Sequence, residues 1–233
     1  MKNLKCNAAV LGVALALAAT SVSQAVPTIR ISDGSATVII TDGGGNDSSP
    51  IAGFVQYSAP AGTFAGWTVV LTAGTTKPVI GSATAPELDL NWSIVRTAGA
   101  GTGSLSVQFS ENGFNLSSTR TAVVASGGTL AAAANTATVR TYYDGGNAEL
   151  AMTSLLTTQV FNGPNAFANN AVGSVPADPT VSFTVRLDLV QAAGTITSGD
   201  IHLFVSAPEG GSMVTFLGTG LLALGAFAAR RKV

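Results

Sequence analysis

The feature that most constrains this chain is an alternation of apolar and polar residues with a period of two. Its longest run places Val181, Phe183, Val185, Leu187 and Leu189 on one face, with Thr180, Ser182, Thr184, Arg186 and Asp188 on the other. Leu88, Leu90, Trp92 and Ile94 alternate in the same way with Asp89, Asn91 and Ser93. Further runs place Trp67 with Val69 and Leu71, Leu105 with Val107 and Phe109, and Val139 with Tyr143. A helix would repeat every 3.6 residues, so this pattern predicts strands with one buried and one wet face, as in antiparallel sheets.

Small turn-forming residues punctuate the runs. Asp33-Gly34, Asp42-Gly43-Gly44-Gly45, Asn112-Gly113, Gly127-Gly128, Asp144-Gly145-Gly146 and Ser198-Gly199 all supply positive φ cheaply, so each is read as a hairpin or strand connection. The segment from Asn162 to Pro179, rich in Asn, Ala and Pro, is read as a long loop, and Ala131 to Ala134 as a possible single helical turn. The last strand is predicted over Asp200 to Val205. The expected fold is all-β: one antiparallel β-sandwich, jelly-roll-like, over residues 26–206. A body of that length closes a core without covalent staples.

Two terminal segments break the pattern. At the start, Lys2 and Lys5 precede an apolar run from Ala8 to Ala19, and Ser23-Gln24-Ala25 puts small residues where a signal peptidase reads. This is the three-part layout of a secretory signal peptide, with cleavage expected after Ala25. At the end, Ala-Pro-Glu-Gly-Gly-Ser leads into an uncharged run from Met213 to Ala229, then Arg230-Arg231-Lys232. As a helix, residues 213–229 would span about 25 Å at 1.5 Å per residue, and Gly210 to Ser212 extend it towards a bilayer core of about 30 Å. Gly218, Gly220 and Gly225 disfavour a water-exposed helix but are common in membrane ones. The basic residues fit a cytoplasmic stub that stops transfer. The expectation is a single transmembrane helix in the segment 207–233.

This tail resembles the PEP-CTERM class of bacterial sorting signals, in which a short Pro-containing motif precedes one membrane helix and an Arg-rich end. Pro208 and Glu209 match, and Gly210 stands where the commonest form has a second Pro. The resemblance implies export by the Sec machinery, cutting by signal peptidase, processing by an exosortase-type enzyme, and delivery to the cell envelope or an extracellular polysaccharide matrix. The body is loosely similar to PEP-CTERM passenger domains through Asp33-Gly34, Lys77-Pro78-Val79-Ile80-Gly81, Leu88-Asp89-Leu90-Asn91 and Phe109-Ser110-Glu111-Asn112-Gly113-Phe114. It brings no activity with it. A surface protein anchored by its tail and never cut remains open beside the processed form.

Composition narrows the chemistry. The chain has one cysteine, Cys6, within the signal segment, so a mature body would have no thiol for a disulfide, a zinc site or a nucleophile. Between residues 26 and 206 six basic residues face eleven acidic ones, which argues against nucleic acid as a partner. The single histidine, His202, is expected to face solvent or the sandwich edge; no Gly-x-Ser-x-Gly elbow offers it a nucleophile. Glu87 with Asp89, or Glu111 with a neighbour, could form a carboxylate pair of the kind that hydrolyses glycosides, against the plainer reading of solvated strand residues. Asp42, Asn46, Asp47 and Ser48 offer oxygens to calcium, against a plain Gly-rich loop. Trp67 and Trp92 could stack on sugar rings, but their parity favours the core. No cofactor, catalytic residue or metal ligand is expected. The sequence points to a non-enzymatic exported envelope or matrix protein, with a carbohydrate-binding module or weak polysaccharide-active enzyme as the alternative.

Overall fold

A computed structural model of the chain describes residues 26–206. The signal segment with its cut at Ala25, the motif Pro208-Glu209-Gly210, the helix 213–229 and the basic residues Arg230, Arg231 and Lys232 lie outside the described residues. Among the described residues, no helix is long and apolar enough to cross a membrane.

Twelve strands follow in chain order: β1 (Thr28–Ser32), β2 (Thr37–Thr41), β3 (Phe54–Tyr57), β4 (Trp67–Thr75), β5 (Glu87–Arg96) and β6 (Gly103–Leu116), then β7 (Arg120–Leu130), β8 (Thr136–Asp144), β9 (Ser154–Asn162), β10 (Asn165–Val175), β11 (Asp178–Gln191) and β12 (Ile196–Val205). They form two six-stranded antiparallel sheets. Sheet A has the order β2-β1-β6-β11-β8-β9, and sheet B the order β10-β7-β12-β5-β4-β3. The fold is therefore an antiparallel β-sandwich, as the alternation predicts.

The core fills the space between the sheets. Val181, Phe183, Val185, Leu187 and Leu189 of β11 are almost fully buried, as are Leu88, Leu90, Trp92 and Ile94 of β5. Phe114 meets Phe183 edge-on at 5.6 Å between ring centres, a favoured aromatic geometry. Among the described residues the core cluster runs from Ile29 to Val205 and takes members from both sheets. On the side where β9 and β10 form the sheet margins, Phe161 and Phe167 stack at 4.1 Å and bridge the two sheets.

Several expectations are corrected. Asn162 to Pro179 is not a loop: β10 occupies Asn165–Val175 and pairs with β7 along its whole length, from Asn165↔Leu130 to Val175↔Arg120. As a margin strand it is exposed on most of its residues, so burial leaves no alternation in its sequence. Three predicted turns lie inside strands: Asn112-Gly113 in β6, Gly127-Gly128 in β7 and Ser198-Gly199 in β12. Gly128 and Gly199 serve close approach rather than turning. A Cβ on Gly199 would sit 2.3 Å from the Trp92 ring, and one on Gly128 would sit 2.5 Å from the Ser198 carbonyl oxygen. Gly113 does have positive φ, but within β6 beside the register shifts of its pairing with β11. Leu71 leaves the buried face of Trp67 and Val69, because a bulge after Val69 reverses the parity of β4 and turns Thr72 inward. The remaining turns stand. Asp33 Oδ1 accepts from the amides of Ser35 and Ala36 between β1 and β2. Ala132 to Asn135 makes one turn between β7 and β8.

Candidate functional site

The outer face of sheet B gathers three of the sequence candidates. Because Leu88, Leu90 and Trp92 point inward, Glu87, Asp89 and Asn91 of β5 point outward by the pleat. On the neighbouring β12, Asp200, His202 and Phe204 share that face, with His202 opposite Asp89 and Phe204 opposite Glu87. His202 faces outward as expected but not at an edge, since β12 lies between β7 and β5. Its Nε2 meets Glu87 Oε1 at 2.7 Å, which is its only side-chain hydrogen bond among the described residues. Asn91 Nδ2 donates to Asp89 Oδ1 at 2.8 Å.

The strand that flanks β12 on its other side places small groups beside His202 and Asp200. Ala125 lies opposite His202, and Gly127 opposite Asp200. The charged groups therefore stand beside a low shelf. Burial pushes the Asp89 carboxyl above its ordinary value, and Asp200 nearby raises it further. Burial also raises Asp200, whose Oδ1 is shielded from solvent without a hydrogen-bond partner. A general base needs a proton to abstract within hydrogen-bond reach, and His202 reaches only a carboxylate. The arrangement places three carboxylates and one imidazole on the outward face of sheet B.

Glu111 lies elsewhere. It points from β6 into the floor of a cavity of about 710 Å³ lined by Asp42, Gly53, Lys77, Pro78, Asn112 and Asn147 among others. The carboxylate is fully buried. Lys77 Nζ contacts its Oε1 at 2.9 Å, and the Thr76 hydroxyl bonds its Oε2. Burial pushes Glu111 up against the opposing effect of both partners, and pushes Lys77 down. Lys77 also donates to the Asn112 carbonyl at 2.8 Å and sits 3.8 Å over the Phe114 ring. Each polar end is thus held by the fold, and Glu111 stands apart from Glu87 and Asp89 rather than pairing with either.

The remaining candidates are structural. Asp47 accepts from the amides of Gly43, Ser49 and Gln56, and Asp42 Oδ2 accepts from Gly53. These oxygens are turned onto the loop's own backbone, which is what a Gly-rich connection requires. Among the described residues no group of three or more His, Cys, Asp or Glu has metal-holding geometry. Trp67 and Trp92 are buried at 5% and 3% exposure, as their parity predicts, and neither can stack on a sugar from this position.

Sequence reasoning missed the arrangement on the opposite face. Arg30 of β1, Gln108 of β6, Arg186 of β11 and Arg140 of β8 lie side by side in successive registers across sheet A. Asp188, one step along β11, contacts both Arg140 and Arg186, at 2.6 and 2.7 Å. The other three cations of the domain are spent inside it. Arg96 donates to the carbonyls of Ala65, Gly66, Ala100 and Gly101; Arg120 donates to the Thr84 carbonyl; Lys77 holds Glu111. The outward-facing basic residues of the domain thus fall in one row. Period-two parity gave the outward direction of Arg186 alone, and only the strand order makes the three neighbours.

No protein-family model matches the chain, and no curated protein does. Solved structures give distant likenesses. The K1 cleaved adhesin domain of Lys-gingipain from Porphyromonas gingivalis W83 is 13% identical, with 69% of this chain and 94% of that chain covered and a TM-score of 0.34. TmCBM61 in complex with beta-1,4-galactotriose is 8% identical, with 69% and 92% covered and a TM-score of 0.32. Arthrobacter globiformis T6 isomalto-dextranase complexed with panose is 16% identical, with 65% of this chain but 23% of that chain covered and a TM-score of 0.27. At these values the likeness carries no statement about function.

Proposed function

We propose that this chain is an exported, non-enzymatic protein of the cell envelope or extracellular matrix, delivered through the Sec route and sorted by its C-terminal segment. The observation that carries the reading is the pair of terminal signals. Residues 1–25 have the layout of a cleavable leader, and Pro208-Glu209-Gly210 precedes an apolar run and Arg230-Arg231-Lys232 in an order that resembles PEP-CTERM proteins. The chemistry of the body supports it. Its histidine is tied to Glu87, its buried carboxylate to Lys77, and its loop carboxylates to backbone amides. An exosortase-type enzyme is then the processing partner, and the inner membrane holds the precursor through the terminal helix.

The finer architecture follows a jelly roll. What supports this is the order of the last eight strands: β5-β12-β7-β10 in one sheet and β6-β11-β8-β9 in the other, as two interlocked Greek keys require. The hairpins β1-β2 and β3-β4 then extend one sheet each. A second reading, binding of an extracellular polysaccharide, is favoured by Phe204 alone. This ring is 38% exposed and stands opposite Glu87 and next to His202 on the outer face of sheet B.

Deleting residues 207–233 tests the first reading. The expected result is loss of the protein from the envelope or matrix, with soluble domain in the periplasm or medium. A truncated chain that still reaches and stays at the same place overturns it. For the second reading, glycan-array binding of residues 26–206 should fall with Phe204→Ala; no binding to any glycan ends it.

A further inference from the structure

We propose that the domain stacks face to face on copies of itself, the arginine row of sheet A in one copy meeting the carboxylates of sheet B in the next. The inference stands independently of the sorting signal, since it uses only residues 26–206.

The two outer faces are complementary in charge. Arg30, Arg186 and Arg140 stand in one cross-strand row on sheet A, offset by two carboxylates, Asp188 and Glu149, the latter accepting from the Thr28 hydroxyl of β1. Glu87, Asp89 and Asp200 stand together on sheet B, with His202 as the one nearby titratable base. These faces lie on opposite sides of the sandwich, so no copy can satisfy its own charges across the core. The acidic excess of the domain does not cancel the pairing. Asp33, Asp42 and Asp47 sit in loops and Asp144 ends β8, all four accepting from backbone amides; Asp178 accepts from the Tyr143 hydroxyl, and Glu111 is buried against Lys77. At contact distance the nearest charges act most strongly, so a neighbour meets the local sign of each face ahead of the net charge.

Both faces also carry exposed apolar side chains beside the charges. Sheet A presents Ile39 at 53% in line with the arginine row, and Val160 at 59% in line with Asp188. On sheet B, Val172 at 66% lies in line with Val123 and Phe204. Apolar and charged groups intermixed on both faces suit contact with a second copy, beside the segment 145–153 that lies on sheet A through Leu150 at Ser110 and Ala148 at Ser182. Because the contacting faces differ, the interface is heterologous, and repetition gives an open stack rather than a closed dimer. A polyanionic glycan would satisfy only the arginine row and would meet repulsion on the other side. A second copy satisfies both.

Sedimentation of purified residues 26–206 tests this, with far-ultraviolet circular dichroism confirming each variant's fold. At about 10 mM salt, where charges act over about 30 Å, the wild type is expected to grow in mean mass with concentration. At about 0.5 M salt it should return to monomer. Arg140→Glu with Arg186→Glu leaves two acidic faces, and Asp89→Lys with Asp200→Lys leaves two basic ones. Each variant alone should associate at least tenfold more weakly than wild type, and an equimolar mixture should recover association by alternation. Should a reversed variant not fold, Arg140→Gln with Arg186→Gln and Asp89→Asn with Asp200→Asn replace it; each should assemble more weakly alone, and their mixture should pair through the one intact face of each and stop at a dimer. A wild type that stays monomeric at low salt overturns the proposal. So does association that ignores salt or these substitutions, association that appears only when a polyanionic glycan is added, or a mixture of folded charge-reversed variants that stays apart.

Discussion

The two outer faces of the sandwich are built by the same rule and end with opposite characters. On both, every second residue of each strand points away from a shared core. Sheet A turns Arg30, Arg186 and Arg140 outward in one row, whereas sheet B turns Glu87, Asp89 and Asp200 outward beside the small side chains of β7. The difference teaches that the fold is indifferent to what its wet faces carry. The interior sets stability, and the exteriors are free to differ. That separation can be tested from the inside outwards.

The largest effect is expected at the shared interior. Phe183 is fully buried and packs edge-on against Phe114. Phe183→Ala should cost about 3–5 kcal/mol in urea unfolding, with both sheets lost in one transition. Two separate transitions would break the idea of one core under both faces. Next comes Gly199→Ala, which drives a methyl into the Trp92 ring from within sheet B. Overpacking there should cost about 1–3 kcal/mol and shift tryptophan fluorescence. An unchanged protein would show that this glycine answers a different need.

These positions also show how far the sequence could be read. The alternation in β5 and β11 announced both strands and the buried side of each, because one face of each packs on the core. The glycines of β7 and β12 were misleading. Gly128 and Gly199 resemble turn formers in sequence, and only the neighbouring Ser198 carbonyl and Trp92 ring reveal why a side chain is excluded. β10 was silent because a margin strand gains its hydrogen bonds from β7 whatever its side chains are. The arginine row was hidden for another reason. Arg30, Arg140 and Arg186 come from β1, β8 and β11, and their alignment depends on strand order and register. His202 with Glu87 lies across the same gap. Parity placed both outward, but pairing β12 with β5 made them partners.

The outer faces should respond weakly, and differently from each other. Arg140→Ala on sheet A removes one of the two cations on Asp188, a partly exposed contact worth about 0–1 kcal/mol in unfolding. A loss of several kcal/mol would mean that this face is structural after all. On sheet B the effect is one of pH. Burial raises the Asp89 and Asp200 carboxyls in the folded state, so the protonated forms are favoured there. Their contribution to stability is complete below the unfolded carboxylate pKa of about 3.9 and disappears as pH rises through the higher folded values. Asp200→Asn removes that dependence at one site. Its stability relative to wild type should therefore improve between acid and neutral pH, a small trend that paired urea titrations would reveal. A relative stability that falls over the same range would contradict the sign.

Under the proposed function the domain is carried outside the cell and separated from its tail. Intact-mass measurement of the protein recovered from envelope and matrix fractions asks this most directly. The account predicts a chain that begins at Val26 and ends close to Pro208-Glu209, with the full tail confined to the inner-membrane precursor. A chain that still begins at Met1, or one that keeps Val233 in every fraction, would contradict it.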